Sequence, residues 1–113
     1  MRHQERISAY RVMWILVFLD LPTETKKDRK NYARFRKDLL QDGFTMMQFS
    51  VYLRHCPSGE NAAVHIRRVE KSLPKKGQVS VLQITDRQYG DILNFWGKSS
   101  EPLPPPPQQL ELF

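Results

Sequence analysis

A lone carboxylate and a dense run of basic residues are the parts of this sequence best suited to chemistry. Asp20 ends an apolar segment, residues 12–19, and seven Lys or Arg side chains follow between Lys26 and Lys37. Mg²⁺ takes oxygen ligands such as carboxylates, and phosphodiester hydrolysis commonly uses such a cation. One aspartate makes a poor metal site, whereas two aspartates from two chains would make a better one, despite their mutual repulsion when the metal is absent.

Asp20 also has a structural interpretation. In this interpretation its carboxylate accepts a hydrogen bond from the backbone of residues 21–24, or it caps the helix that follows. Taken as a single residue, Asp20 fits this interpretation better than the metal site, and both stay open.

The basic residues after Asp20 form a stripe if residues 26–41 are helical, because each residue then turns by about 100°. Tyr32, Phe35 and Leu39 fall on the opposite side and would face a sheet. Asp28 and Asp38 are the only acidic partners within the helix. A solvated surface is one interpretation of such a stripe, and a row of contacts to successive backbone phosphates is the other. The stripe consists of Lys26, Lys27, Lys30, Arg34 and Lys37.

Other candidates for chemistry are weaker. His55 and Cys56 are adjacent, and on a strand they would point to opposite faces, with no further Cys or spaced His to complete a zinc site. Cys56 is expected to be a small buried residue, and His65 a packed histidine. Trp14 and Trp96 fit a core or an interface better than a base-stacking platform.

Alternating strand and helix patterns must position these side chains. The sequence predicts strands over residues 12–20, 44–56 and 78–85, and helices over residues 26–41 and 59–73. Thr23 or Thr25 can cap the first helix, with Asp28 in capping-box position after Thr25, and Gly43 can end it in a left-handed conformation. Ser58 is the expected cap of the second helix. Residues 44–56 fit either two short strands or one strand with a bulge, and by alternation Phe49, Val51 and Leu53 are expected to share one face. This order within about 95 residues predicts an α+β, ferredoxin-like two-layer sandwich, βαββαβ.

The first strand predicts a partner for the sheet. Residues 12–19 are apolar without alternation, which is typical of a strand that is buried on both faces. Two helices cover only one face of such a sheet, so we expect a second copy of the chain to cover the other. The expected assembly is a homodimer that packs sheet to sheet.

The charge of the chain favours a polyanionic partner. Its 18 Lys and Arg against 12 Asp and Glu give a net charge of +6, and residues 99–113 contain two acids and no base. Nucleic acid is the first expected partner. A single Cys excludes an internal disulfide, and the polar N-terminus lacks a signal-peptide pattern, so we expect a cytoplasmic protein that does not enter a membrane.

Several ordered segments resemble the CRISPR-associated protein two family, the small core protein of spacer acquisition, in the form found beside type II systems. Together they span about residues 12–96. They read "FLDLP" around Asp20, "ARFRKDLLQDGF", "MMQFSVYLR", "HIRRVEKSLPKKGQV" and "LQITDRQYG".

The resemblance implies a function. Members of this family are ferredoxin-like homodimers that bridge two dimers of the CRISPR integrase and hold a duplex DNA for insertion into the repeat array. They are also described as metal-dependent endonucleases of RNA or duplex DNA. In that description one aspartate from each protomer shares a Mg²⁺ at the dimer interface. Asp20 has this position here, and Ser50 matches the serine of the family's Ser-Val-aromatic element.

Two features depart from the family pattern. Leu19 precedes Asp20 where many members have an aromatic residue, and a proline-rich tail, residues 99–113, follows the domain at residues 1–98. The tip of that tail either docks on a partner or is disordered. The candidate docking residues are Leu110, Leu112 and Phe113.

Two functions from different classes therefore compete. The first is a nucleic-acid-binding subunit of CRISPR adaptation, with or without endonuclease activity. The second is a toxin-type ribonuclease that resembles virulence-associated protein D, which shares the ferredoxin-like fold.

Overall fold

The computed structural model describes residues 11–97. The loose basic arm that the sequence predicts over residues 1–10, residue 98 at the end of the predicted domain, and the predicted tail at residues 99–113 all lie outside this part. Four strands and three helices follow one another along the chain. They are β1 (Met13–Asp20), α1 (Lys26–Gln41), β2 (Thr45–Gln48), β3 (Val51–Cys56), α2 (Gly59–Lys71), β4 (Gln78–Thr85) and α3 (Asp86–Gly90).

The strands form one antiparallel sheet in the order β2-β3-β1-β4. The long helices α1 and α2 both pack on one face of it, because their buried residues join those of β1 in a single core. This order of elements and strands confirms the predicted α+β, ferredoxin-like sandwich. Within residues 11–97 no helix has the length and apolar character of a membrane span.

The two faces of β1 differ in how completely they are covered. The helix-facing side carries Ile15 and Val17, both with no exposed surface. On the other side, here called the open face, Leu16 is buried but Phe18 is 38% exposed. Burial on both faces, as the sequence predicts, is therefore incomplete within one chain. A groove remains on this face between Phe18, Leu82 and the segment around Gln88 and Ile92.

Local sequence signals explain where the long helices begin and end. The Thr25 side chain accepts a hydrogen bond from the Asp28 backbone, and the Asp28 side chain accepts one from the Thr25 backbone, which is the predicted capping box. Gly43 follows α1 with a φ of +92°, a left-handed conformation that favours glycine. Ser58 caps α2 as expected.

Residues 44–56 form two strands rather than one. A two-residue turn, Phe49–Ser50, joins β2 to β3, and the pairing register shifts between Met46 and Gln48. Phe49 therefore belongs to the turn and not to the β3 face predicted for it. The predicted second helix also ends earlier than residue 73, and Leu73 is exposed.

Candidate functional site

Asp20 is the last residue of β1 and lies next to both neighbouring strands. The backbone N–H of Leu19 donates to the Ser50 carbonyl at 2.9 Å, and Asp20 is paired in register with Gln78 of β4. Because side chains alternate along a strand, Asp20 belongs to the open face with Phe18. Its side chain is exposed.

The structural interpretation of Asp20 finds no support among residues 11–97. Its carboxylate accepts no hydrogen bond and forms no ion pair with them. Thr25 caps α1 in its place. Within residues 11–97, Asp20 is therefore an exposed carboxylate whose oxygens have no partner.

Ser50 is brought to the same end of the sheet by the β2–β3 turn. Its φ is +69°, a left-handed conformation that costs a non-glycine residue about 1 kcal/mol. The Ser50 carbonyl accepts a hydrogen bond from the Leu19 N–H, whereas the Ser50 hydroxyl makes no hydrogen bond within residues 11–97. Asp20 and Ser50 are neighbours through the backbone, and no hydrogen bond joins their side chains.

The described part of one chain, residues 11–97, does not supply a complete metal site by itself. Residues 11–97 contain no group of three or more His, Cys, Asp or Glu side chains arranged to hold an ion. A single exposed carboxylate fits Mg²⁺ only as one ligand among waters and phosphate oxygens, or together with a carboxylate from a second chain. The donor set at Asp20 fits a shared ion and does not fit an ion enclosed by one protomer.

The seven basic residues of α1 fall into two groups. Arg29 donates to the carbonyls of Thr23 and Glu24 and so fixes the loop between β1 and α1. Arg36 lies beside the Tyr52 hydroxyl, and although this guanidinium lowers the pKa of Tyr52, burial outweighs it and raises the pKa overall. The other five are the predicted stripe, and each of them is exposed.

The stripe carries charge that the described residues do not neutralise. Both ion pairs found within residues 11–97 are made by Asp42 and involve no residue of the stripe. Phe35 and Leu39 are buried on the opposite side of α1, as predicted. The helix therefore presents five cations to solvent, which is the arrangement expected of a surface that binds backbone phosphates.

A partly buried polar cluster around Asp42 is not evident from the sequence. His65 Nδ1 lies 2.8 Å from Asp42 Oδ2, and Arg68 Nη1 donates to Asp42 Oδ1 at 2.7 Å. Arg54 donates to the Asp42 carbonyl at 2.8 Å. The i, i+3 spacing of His65 and Arg68 was a usable signal, but the sequence did not show which acid they meet. The cluster ties α1, β3 and α2 together.

The weaker candidates have structural surroundings. Cys56 is fully buried on the helix-facing side, where burial raises the pKa of its thiol. His55 points to the open face and meets the edge of Trp14, with ring centroids 4.9 Å apart. Trp14 stacks on Tyr89 and donates to Asp86. These contacts confirm that His55 and Cys56 point apart and that Trp14 is a packed residue.

Comparisons with known proteins show the family to which the chain belongs. A match to the family described as CRISPR associated protein Cas2 covers residues 13–92. The chain belongs to this family. The match runs from the first residue of β1 to just beyond α3, so it covers nearly all of the described fold.

Curated relatives share most of the length of the chain. A protein of Flavobacterium psychrophilum is 55% identical over 98% of this chain and 96% of its own length. A protein of Parvibaculum lavamentivorans is 56% identical over 89% of this chain and its full length. One of Paracidovorax avenae is 45% identical over 95% of this chain and 99% of its own length. Each is named CRISPR-associated endoribonuclease Cas2.

Proposed function

We propose that this protein is a nucleic-acid-binding subunit of CRISPR adaptation that holds duplex DNA along α1 and bridges integrase dimers. The observation that carries the binding role is the exposed, unneutralised stripe on α1. Lysine and arginine side chains at helical spacing suit backbone phosphates and carry no sequence readout. Membership of the Cas2 family favours this role over a toxin-type ribonuclease. Docking by Leu110, Leu112 and Phe113 lies outside the described residues and stays a prediction.

A charge reversal tests the binding role. We expect the triple variant Lys30→Glu, Arg34→Glu, Lys37→Glu to bind a labelled duplex far more weakly than the wild type. The slope of log affinity against log salt should fall by about three, since each phosphate contact contributes roughly 0.9. The control variant reverses three exposed bases elsewhere, Arg67→Glu, Lys71→Glu and Arg87→Glu.

The outcome is decided by comparing the two triple variants at several salt concentrations. An unchanged affinity and slope in the α1 variant would remove the stripe from the interface. Equal weakening in both variants would show that net charge, and not the position of the stripe, governs binding.

The open face supports a homodimer as the working assembly. The strand residues paired across this face include Phe18 and Leu82, both exposed, and no Lys or Arg. A largely apolar sheet face without basic residues is suited to a second copy of itself rather than to nucleic acid. A second copy would also supply the second carboxylate that a Mg²⁺ site needs, because Asp20 lies on the same face.

Light scattering on the purified protein tests the dimer. We expect a dimeric mass for the wild type and a monomeric mass for Phe18→Lys, since a charge on the open face opposes burial. Ala33→Lys adds the same charge on the exposed side of α1 and should leave the dimer intact. A monomeric wild type would contradict the assembly.

A second function, endonucleolytic cleavage, is favoured by Asp20, which is exposed and has no partner within residues 11–97. The relatives are named endoribonucleases, which points to the same chemistry. Asp20 from each protomer would hold a Mg²⁺, which supplies an activated water and polarises the phosphate. The Ser50 hydroxyl, free of partners within residues 11–97, is suited to donate to a phosphate oxygen. The α1 stripe would orient the strand.

A further inference from the structure

The loop between α2 and β4 lies against the Asp20 end of β1. Asp20 pairs with Gln78, the first residue of β4, and Gly77 immediately precedes it. Gly77 has a φ of +95°, and a Cβ at this position would lie 2.8 Å from the Asp20 carbonyl oxygen and 2.7 Å from Leu21 Cδ2. Such distances leave no room for a side chain. The end of the loop is therefore held directly on the backbone of Asp20.

Two adjacent cations stand in this loop. Lys75 and Lys76 are exposed, and neither forms an ion pair within residues 11–97. Lys76 lines a small depression with Leu21 and Asp28. The Asp28 carboxylate accepts a hydrogen bond from the Thr25 backbone N–H and is not within ion-pair distance of Lys76. The charge of the pair is thus available to an anion.

The loop is also more restricted than a solvated charged segment. Pro74 has a fixed φ on one side of the lysines, and Gly77 is packed on β1 on the other. Two cations on a restricted loop lose less conformational entropy when they bind than two cations on a free one. Lys75 and Lys76 directly precede Gly77, which lies against the Asp20 carbonyl, so the loop brings two cations to the Asp20 end of β1.

We propose that Lys75 and Lys76 form a phosphate-binding site of the Asp20 centre, and that they hold a backbone phosphate of the nucleic acid whose strand passes Asp20. The proposal rests on the proposed nucleic-acid binding and adds a second, loop-borne anchor to the α1 stripe. An ammonium group binds phosphate as a point charge, so the site recognises the backbone and not the base.

Salt-dependent binding of a labelled duplex to the double variant Lys75→Gln, Lys76→Gln is the first test. Loss of two phosphate contacts should reduce the slope of log affinity against log salt by about two, and weaken binding on the order of 10- to 100-fold at about 0.1 M salt. The matched control, Arg67→Gln with Lys71→Gln, removes two exposed positive charges from α2 and should leave the slope unchanged.

Lysine footprinting locates the contact. Wild-type protein is treated with an amine-reactive acetylating reagent with and without the duplex, and modified peptides are quantified by mass spectrometry. We expect the duplex to protect Lys75 and Lys76, while Lys71 stays reactive.

The outcomes separate this proposal from the function on which it rests. In one outcome the duplex binds the wild type and protects the α1 lysines, while Lys75 and Lys76 stay reactive and the double variant binds like the wild type. The loop site is then wrong and the α1 interface stands. If no lysine is protected and no salt-dependent binding is seen, the proposed function itself is wrong.

Discussion

Asp42 and Asp20 both lie at the end of a regular element, and they differ in what surrounds their oxygens. Asp42 follows α1, and its side chain is 15% exposed, with one oxygen on His65 and the other on Arg68. Asp20 ends β1, is exposed, and has no partner within residues 11–97. A carboxylate with both oxygens paired is part of the framework, whereas one without partners is free to bind a ligand.

The same contrast separates the two layers of the molecule. The helix-facing side of the sheet is closed by α1 and α2, and several polar groups of this layer are used in caps and in the Asp42 cluster. The open face and the exposed side of α1 keep apolar area and positive charge without partners among the described residues. The proposed interfaces therefore lie where apolar area and positive charge have no partner within residues 11–97.

Among substitutions in the folded framework, removal of the Asp42 carboxylate should cause the largest loss of stability. Asp42→Ala should lower the free energy of unfolding by about 2 kcal/mol, because the buried His65 N–H loses its acceptor. Arg68 is exposed and adds little. Asp42→Asn keeps an acceptor oxygen and should cost less. Urea denaturation followed by circular dichroism measures both.

Asp38→Ala is the matched control, since Asp38 lies one turn earlier on α1 and forms no ion pair within residues 11–97. If Asp38→Ala and Asp42→Ala destabilise the protein equally, the cluster has no special role and the comparison with Asp20 loses its basis.

A smaller effect is expected from the thiol beside the Asp42 cluster. Burial raises the pKa of Cys56 above its ordinary value of 9.0, so the folded protein holds the proton more tightly than the unfolded chain. This contribution to stability is complete below pH 9.0 and is lost as the pH rises through the raised pKa of the folded state. Urea midpoints measured from neutral pH to about 10 should decline less steeply for Cys56→Ala than for the wild type. Equal slopes would contradict a buried thiol.

The sequence predicted the parts of the fold that depend on local rules. The capping box at Thr25, the left-handed Gly43 and the bounds of β4 need only neighbouring residues, and all three are confirmed. The stripe on α1 follows from helical periodicity and is exposed as expected.

Features that depend on pairing between distant residues were not predictable in this way. Asp42 meets His65 across 23 positions, and Gly77 meets Asp20 only because β4 pairs with β1. The sequence alone does not decide between a bulged strand and a tight hairpin at Phe49–Ser50, because both accept similar residues there.

The most direct test of the central claim compares Asp20→Asn with the wild type on labelled duplex DNA and single-stranded RNA, with Mg²⁺ and with chelator. Binding, cleavage and thermal stability are read from the same preparations. The account predicts unchanged stability and binding, because Asp20 has no partner within residues 11–97, together with loss of any Mg²⁺-dependent cleavage. A destabilised variant would return Asp20 to a structural role. Cleavage that persists in Asp20→Asn would contradict its place as the metal ligand.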